Sequence, residues 1–171
     1  AHIVARPTLA TPILGKVAFL TGIQVPEQAR EIESLFTKNG YSVEYRTLEQ
    51  GPAASVDTLA LLDLDKPFLH DATSQDFESF VKFVHGLGSS RLLWVTKASQ
   101  IAVKDPRYAL ILGMARAIRT ELGVAFGTLE LEDFNSSAWQ PVLDVFKKFQ
   151  QPPVAGAGAD QFDLDADVEY A

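Results

Sequence analysis

The sequence predicts an α/β fold, an open parallel sheet of about five strands with helices on both faces. Two observations carry this. Short apolar runs of strand type alternate with amphipathic stretches of 3.6-residue period from Val17 to Phe149, and Pro, Gly or Asn punctuates most of the changes. Runs such as TLALL (58–62) and LLWVT (92–96) are also apolar throughout, as in strands covered on both faces, whereas a sheet with one wet face alternates.

The elements follow in order. Residues 1–15 hold Pro7, Pro12 and Gly15 among apolar residues, so an extended lead-in or edge strand is expected. VAFLT (17–21) reads as a buried strand. Pro26 suits the first turn of a helix over 27–38, whose Ala29, Ile32, Leu35 and Phe36 share one face, and Asn39 and Gly40 stop it. In 41–48, Tyr41, Val43 and Tyr45 fall on one side and polar residues on the other, as near a sheet edge. TLALL (58–62) is a central strand, followed by a loop over 63–67. Ser74 is the expected N-cap of a helix with Phe77, Phe80, Val81 and Val84 at helical spacing, Asp76 and Glu78 at its positive end, and Gly86 and Gly88 as its stop. RLLWVT (91–96) is a strand. Pro106 precedes a helix over 107–122 with Leu110, Ile111, Met114, Ile118 and Leu122 as its core stripe and Gly123 as its end. AFGTLEL (125–131) is the fifth strand, and 139–149 a fourth helix with Pro141 in its first turn. Residues 16–150 thus form one domain. Residues 151–171, rich in Pro, Gly, Ala and Asp, are expected to be a linker ending in a short strand.

Composition narrows the function. The 171 residues are 47% hydrophobic and 22% charged, proportions of a globular domain of ordinary size. With 15 Lys+Arg against 22 Asp+Glu the formal net charge is −7, which offers no basic field to a phosphate backbone, so nucleic acid is not an expected partner. The absence of Cys excludes disulfides, thiolate nucleophiles and Cys-ligated metals, and fits a reducing compartment. No apolar run reaches membrane-helix length, and the first residues lack a signal peptide's order, so a soluble, cytoplasmic protein is expected and no membrane partner. The chain starts without Met, as a processed form or an excised segment would.

Open α/β sheets bind ligands at the carboxyl ends of their strands, which directs attention to the loops after Thr21, Leu62, Thr96 and Leu131. A dinucleotide site needs a glycine-rich turn after the first strand. The loop TGIQVPEQA has Gly22 alone, bulk at Val25, no N–H at Pro26, and a repelling Glu27. No P-loop string occurs. LLDLDKP (61–67) suggests a phosphorelay receiver, with Asp63 as phosphoacceptor and Thr96 as switch residue. That chemistry needs an acidic pair after the first strand and a Lys after the fifth, where the sequence has Thr21-Gly22 and Glu130-Leu131-Glu132-Asp133. The carboxylates of LLDLDKP therefore read as solvated turn residues. His85 and Ser89, in HGLGSS, read as loop residues at a helix end and not as a hydrolase site. His2, His70 and His85 lack zinc-ligand spacing, and Asp160, Asp163, Asp165 and Asp167 lack the glycine and closing Glu of an EF-hand. Neither catalytic residues, cofactor ligands nor metal ligands are expected.

The segment 91–133 resembles one family. In fungal highly reducing polyketide synthases, the structural half of the ketoreductase carries a strand of LLWVT type, a Pro, and a helix of GxARxIRxE type. Here these are 92–96, Pro106, and Gly113, Ala115, Arg116, Ile118, Arg119 and Glu121, followed by TLELED (128–133) and the terminal DVEYA (167–171). The resemblance implies a truncated Rossmann-like domain, a pseudo-ketoreductase that binds no NADPH. It also implies that the catalytic Ser, Tyr and Lys lie in a separate catalytic half of the same synthase, which would be this chain's partner together with neighbouring domains. Tyr108 has no Lys four residues on. Gly113 and Ala117, four apart within the 107–122 helix, suggest close backbone approach, because an interior Gly costs about 1 kcal/mol relative to Ala. With Arg116, Arg119 and Glu121 they form the candidate domain interface. A stand-alone α/β binding module, degenerate-dehydrogenase-like or receiver-like, is the alternative.

Overall fold

The computed structural model describes residues 15–100, 103–151 and 169–171. The expected lead-in falls outside them except for Gly15, as do the linker 152–168, His2 and the tail aspartates. Six parallel strands stand in the order β2-β1-β3-β4-β5-β6: β1 (Lys16–Leu20), β2 (Ser42–Arg46), β3 (Thr58–Ala60), β4 (Leu92–Lys97), β5 (Phe126–Leu131) and β6 (Glu169–Tyr170). The short terminal strand joins the same sheet beyond β5, which accounts for the one strand more than the five expected. β2 lies at the opposite edge, as its alternation requires.

The helices are α1 (Glu27–Lys38), α2 (Phe68–Asp71), α3 (Ser74–Gly86), α4 (Leu110–Leu122) and α5 (Trp139–Gln150). Side chains alternate across each strand, so the two faces of the sheet build separate cores. Val17, Phe19, Leu93, Val95 and Leu129 pack with Ile32 and Phe36 of α1 and with Phe146 of α5. On the other face, Leu20, Leu92, Trp94 and Phe126 pack with Phe80 and Phe83 of α3 and with Ile111 and Ala115 of α4. Aromatic edges order both layers: Phe36 meets Phe19 at 5.3 Å between centroids and Phe146 at 5.5 Å, and Phe80 meets Trp94 at 5.7 Å.

Four local expectations are corrected. β3 ends at Ala60, and the supposed loop is a 3-10 turn (Leu62–Leu64) followed by α2, because the Asp63 carboxylate turns inward and accepts the Phe68 N–H at 3.0 Å. The N-cap of α3 is Thr73, not Ser74. Its hydroxyl accepts the Asp76 N–H while the Asp76 carboxylate accepts the Thr73 N–H, a reciprocal capping box. Phe77 in α3 is 42% exposed and Phe83 takes the buried position; His85 lies in the last helical turn. In α4 a 3-10 turn over Pro106–Ala109 precedes the helix and its inward face centres on Ile111, Ala115 and Ile118, so Leu110, about 100° round from Ile111, is half exposed. Leu122, in the last turn, is 44% exposed, and Gly123 closes the helix at φ +64, a left-handed conformation that suits glycine.

Phe36 joins α1, β1 and α5, so Phe36→Ala is expected to destabilise the chain by about 3–5 kcal/mol. Urea unfolding would show this as a lower midpoint at unchanged slope.

Candidate functional site

The order of the sheet reverses between β1 and β3: the chain leaves β1 for β2 on one side and returns to β3 on the other. In open α/β sheets this reversal opens a crevice at the carboxyl ends of the strands. Here it is a cleft of about 350 Å³ walled by Gly22, Gln24, Val25 and Pro26 after β1 and by Leu61, Leu62 and Phe68 after β3. Asp65, Asp71 and Asp76 bring three carboxylates to it and Lys66 one ammonium. Hydrogen bonds from the Thr73 side chain and backbone hold the Asp76 carboxyl below its ordinary range, and His70, 2.8 Å away, does the same for Asp71.

This is where the pyrophosphate of a dinucleotide would sit in such a fold, and the residues present do not fit it. The first turn of α1 starts at Pro26, which has no N–H to offer, and Glu27 places a carboxylate where the helix favours an anion. Around Gly22 a built Cβ would meet nothing within 4 Å, so the glycine marks no close backbone approach among the described residues. Thr21 spends its hydroxyl on the Gly22 carbonyl at 3.0 Å.

Asp63 lies beside the crevice and is not the solvated turn residue expected from sequence; it is only 3% exposed. One carboxylate oxygen accepts the Phe68 N–H, and the other accepts the Trp94 indole N–H at 2.9 Å and the Thr96 hydroxyl at 2.7 Å. Burial pushes its pKa up, and the three donors work against that. Asp63 and Thr96 thus meet as in a receiver, but both oxygens are engaged inside the protein. At the end of β5, buried Glu130 accepts the Ser99 and Gln100 N–H groups and the Gln100 side-chain amide. It pins the loop after β4 and holds a carboxylate where the receiver would need a lysine. Asp65 is exposed, as expected. Among the described residues no cluster of three metal-ligating side chains occurs, and no helix is long and apolar enough to cross a membrane.

Tyr108 is buried and lies against Lys97, whose ammonium is 5.5 Å from the ring centroid. Burial raises its phenol pKa, the wrong direction for a proton donor near neutrality. The residue four positions on is Leu112.

The α4 residues divide between two tasks. Gly113 and Ala117 face outward and are exposed, and a Cβ built on Gly113 would meet nothing within 4 Å among the described residues, so none of the described strands requires the glycine. Arg116 and Arg119 point to β6 instead. Arg116 binds both carboxylate oxygens of Glu169 at 2.8 and 2.7 Å, and Arg119 reaches one of them at 2.8 Å while also donating to the Phe126 carbonyl. Glu121, grouped with them at the candidate interface, makes no ion pair among the described residues. The only signal for Glu169 was an acid in a terminal strand.

A family model described as HRPKS sdrA-like, NAD(P)-binding Rossmann-fold domain matches residues 34–152. The chain belongs to that family. The resemblance to highly reducing polyketide synthases is thereby confirmed. Highly reducing polyketide synthase gloL of Glarea lozoyensis is 31% identical over 170 residues, which cover 99% of this chain and 6% of that protein. Highly reducing polyketide synthase ntnH of Nectria sp is 37% identical over 151 residues, 86% of this chain and 6% of that protein. Highly reducing polyketide synthase sphB of Aspergillus fumigatus is 40% identical over 122 residues, 70% of this chain and 5% of that protein. The chain therefore spans about 6% of the length of the curated relatives it matches. No solved structure matches. The Rossmann-fold match begins inside α1, after the loop that lines the crevice.

The Arg116–Glu169–Arg119 clamp predicts a pH dependence. The two guanidinium groups lower the Glu169 pKa from an ordinary 4.5 to about 2. A depressed carboxylate contributes stability that is present above its unfolded value and lost as the pH falls through the folded one. Attachment of β6 should therefore weaken between about pH 4.5 and pH 2. Side-chain NMR titration should place the Glu169 midpoint near 2, returning toward 4.5 when Arg116 and Arg119 are both replaced by Ala.

Proposed function

We propose that this chain is the structural, pseudo-ketoreductase half of a ketoreductase in a highly reducing polyketide synthase. In this reading it performs no reduction and binds no nicotinamide cofactor, and it supports the NADPH-dependent catalytic half and helps organise neighbouring domains. The observation that carries this is the crevice at the β1–β3 reversal, where a dinucleotide would meet Pro26, Glu27 and the carboxylates of Asp65, Asp71 and Asp76. A ketoreductase also needs a tyrosine and lysine pair at substrate. Tyr108, buried and without its lysine, gives the reading further support. Family membership and relatives many times longer favour it over a stand-alone binding module.

Within such a synthase, residues 16–150 are the scaffold unit and 151–171 carry the chain onward. The docking face is the outer side of α4. There Leu110, Gly113 and Ala117 lie exposed and uncharged, with Arg116 on one flank and Glu121 one turn beyond Ala117 on the same stripe. An exposed stretch of helix that is uncharged over its first two turns and built on a glycine is costly for a purely solvated helix. It suits a neighbouring domain of the same synthase that approaches the backbone closely. Arg116 and Arg119 serve this face indirectly, by tying the exit strand β6 to the same helix.

Gly113 separates docking from internal support. Gly113→Ala should stabilise the 171-residue chain by about 1 kcal/mol, since the added methyl meets open space and the helix propensity improves. Gly113→Leu should leave the fold of the chain intact while lowering ketoreduction by the intact synthase. Full ketoreduction with Gly113→Leu would remove α4 as the docking face.

A further inference from the structure

The loop between β1 and α1 does something costly with one residue. Ile23 stands 91% exposed at its tip, while Val25 and Pro26 turn in to wall the crevice. No other described large hydrophobic residue reaches that exposure. Beside it the crevice combines an apolar wall, Val25, Leu61 and Phe68, with the carboxylates of Asp65, Asp71 and Asp76 against the single ammonium of Lys66. Hydrogen bonds from His70 and Thr73 hold the Asp71 and Asp76 carboxyls below the ordinary carboxylate range, with Lys66 and, at Asp71, Arg107 adding attraction, so the crevice is lined by ionised carboxylates that these cations offset only in part. Such a pocket repels phosphates and carboxylates. It favours a cation carried on an apolar stem, as the side chains of Lys and Arg are built.

We infer that Ile23 and this crevice form a docking pocket for a segment of another domain of the same synthase, one that inserts a Lys or Arg side chain and covers Ile23 with an adjacent apolar residue. The inference rests on the scaffold reading for the identity of the partner. Charge complementarity selects the segment. A second copy of the chain using the same face would bring two acidic mouths together in molecules of formal charge −7, which disfavours self-association there. A bare metal ion lacks a cluster of three ligands among the described residues. The relatives carry this segment in proteins of which it makes up about 6%, so partner surfaces are abundant within one polypeptide.

The test places the photo-cross-linking amino acid p-benzoylphenylalanine at position 23 of the intact synthase. Ile23 is exposed, so this replacement disturbs no packing. After irradiation, peptide mapping should find a link to a segment outside these 171 residues, with Lys or Arg within two positions of an apolar side chain. Asp65→Lys, at an exposed position, should reduce the yield at least fivefold. Absence of a link, a link to the same segment of a second copy, or a yield indifferent to Asp65→Lys would each overturn the docking pocket. These results leave the scaffold reading standing if NADPH has no effect. Loss of the link specifically on adding NADPH would overturn both, because it would put the cofactor in the crevice.

Discussion

A parallel sheet must be covered on both faces, and the rest of this molecule follows from that requirement. Each strand has to be apolar in both directions, which is why β1, β4 and β5 are buried almost throughout. Each connection has to cross a face and bring a helix with it. α1 and α5 serve one core and α3 and α4 the other. With β1 and β3 adjacent and their helices on opposite faces, the loops above them diverge. The crevice is a by-product of covering the sheet, present before any ligand chemistry is added to it.

Buried polar groups then fix the two ends of the strands. At the amino end, Asp57 accepts the Arg91 N–H at 2.8 Å and the Gln150 side-chain amide at 3.0 Å, and Gln150 in turn accepts the Tyr41 hydroxyl. This ties β3, β4, α5 and the start of β2 into one network. At the carboxyl end Asp63 plays the corresponding part, drawing Trp94, Thr96 and the start of α2 together. Satisfied networks of this kind specify one arrangement of a core that hydrophobic packing alone would leave more permissive. They also consume the carboxylates a catalytic crevice could have used. Asp63 and Glu130, the acids at the ends of β3 and β5, are engaged in holding backbone and side chains in place.

Much of this was legible in the sequence because it depends on local pattern. The α1 boundaries follow from Pro26, the Ala29–Ile32–Phe36 spacing and Asn39, and the edge position of β2 from the alternation of Tyr41, Val43 and Tyr45. The exclusion of a glycine-rich cradle required only the loop's composition. What escaped depends on tertiary contact. Asp63 looks like a turn residue because nothing in LLDLDKP announces that Trp94 and Thr96, about thirty residues on, will point two donors at it. The partner of Arg116 and Arg119 lies fifty and more residues away, beyond the linker. Ile111, Met114 and Ile118 of the expected α4 stripe do pack on the core, but Leu110 and Leu122 at its ends are left exposed because the inward face takes in Leu112 and Ala115, which an apolar template does not distinguish from their neighbours.

The central claim is that the fold keeps the architecture of a dinucleotide-binding sheet while its crevice carries the wrong charge and the wrong loop for a dinucleotide. The proposed scaffold role would account for retaining the frame, since a rigid sheet and helices supply surfaces whether or not the crevice is used. The direct test is titration calorimetry of the 171-residue chain with NADPH and NADP⁺ at about 0.15 M ionic strength, where screening reduces the general repulsion between an anionic cofactor and a chain of formal charge −7, so that a null result reports on the crevice itself. The account predicts no saturable heat up to millimolar cofactor. A micromolar dissociation constant, abolished by replacing Gly22 with a bulky residue, would contradict it.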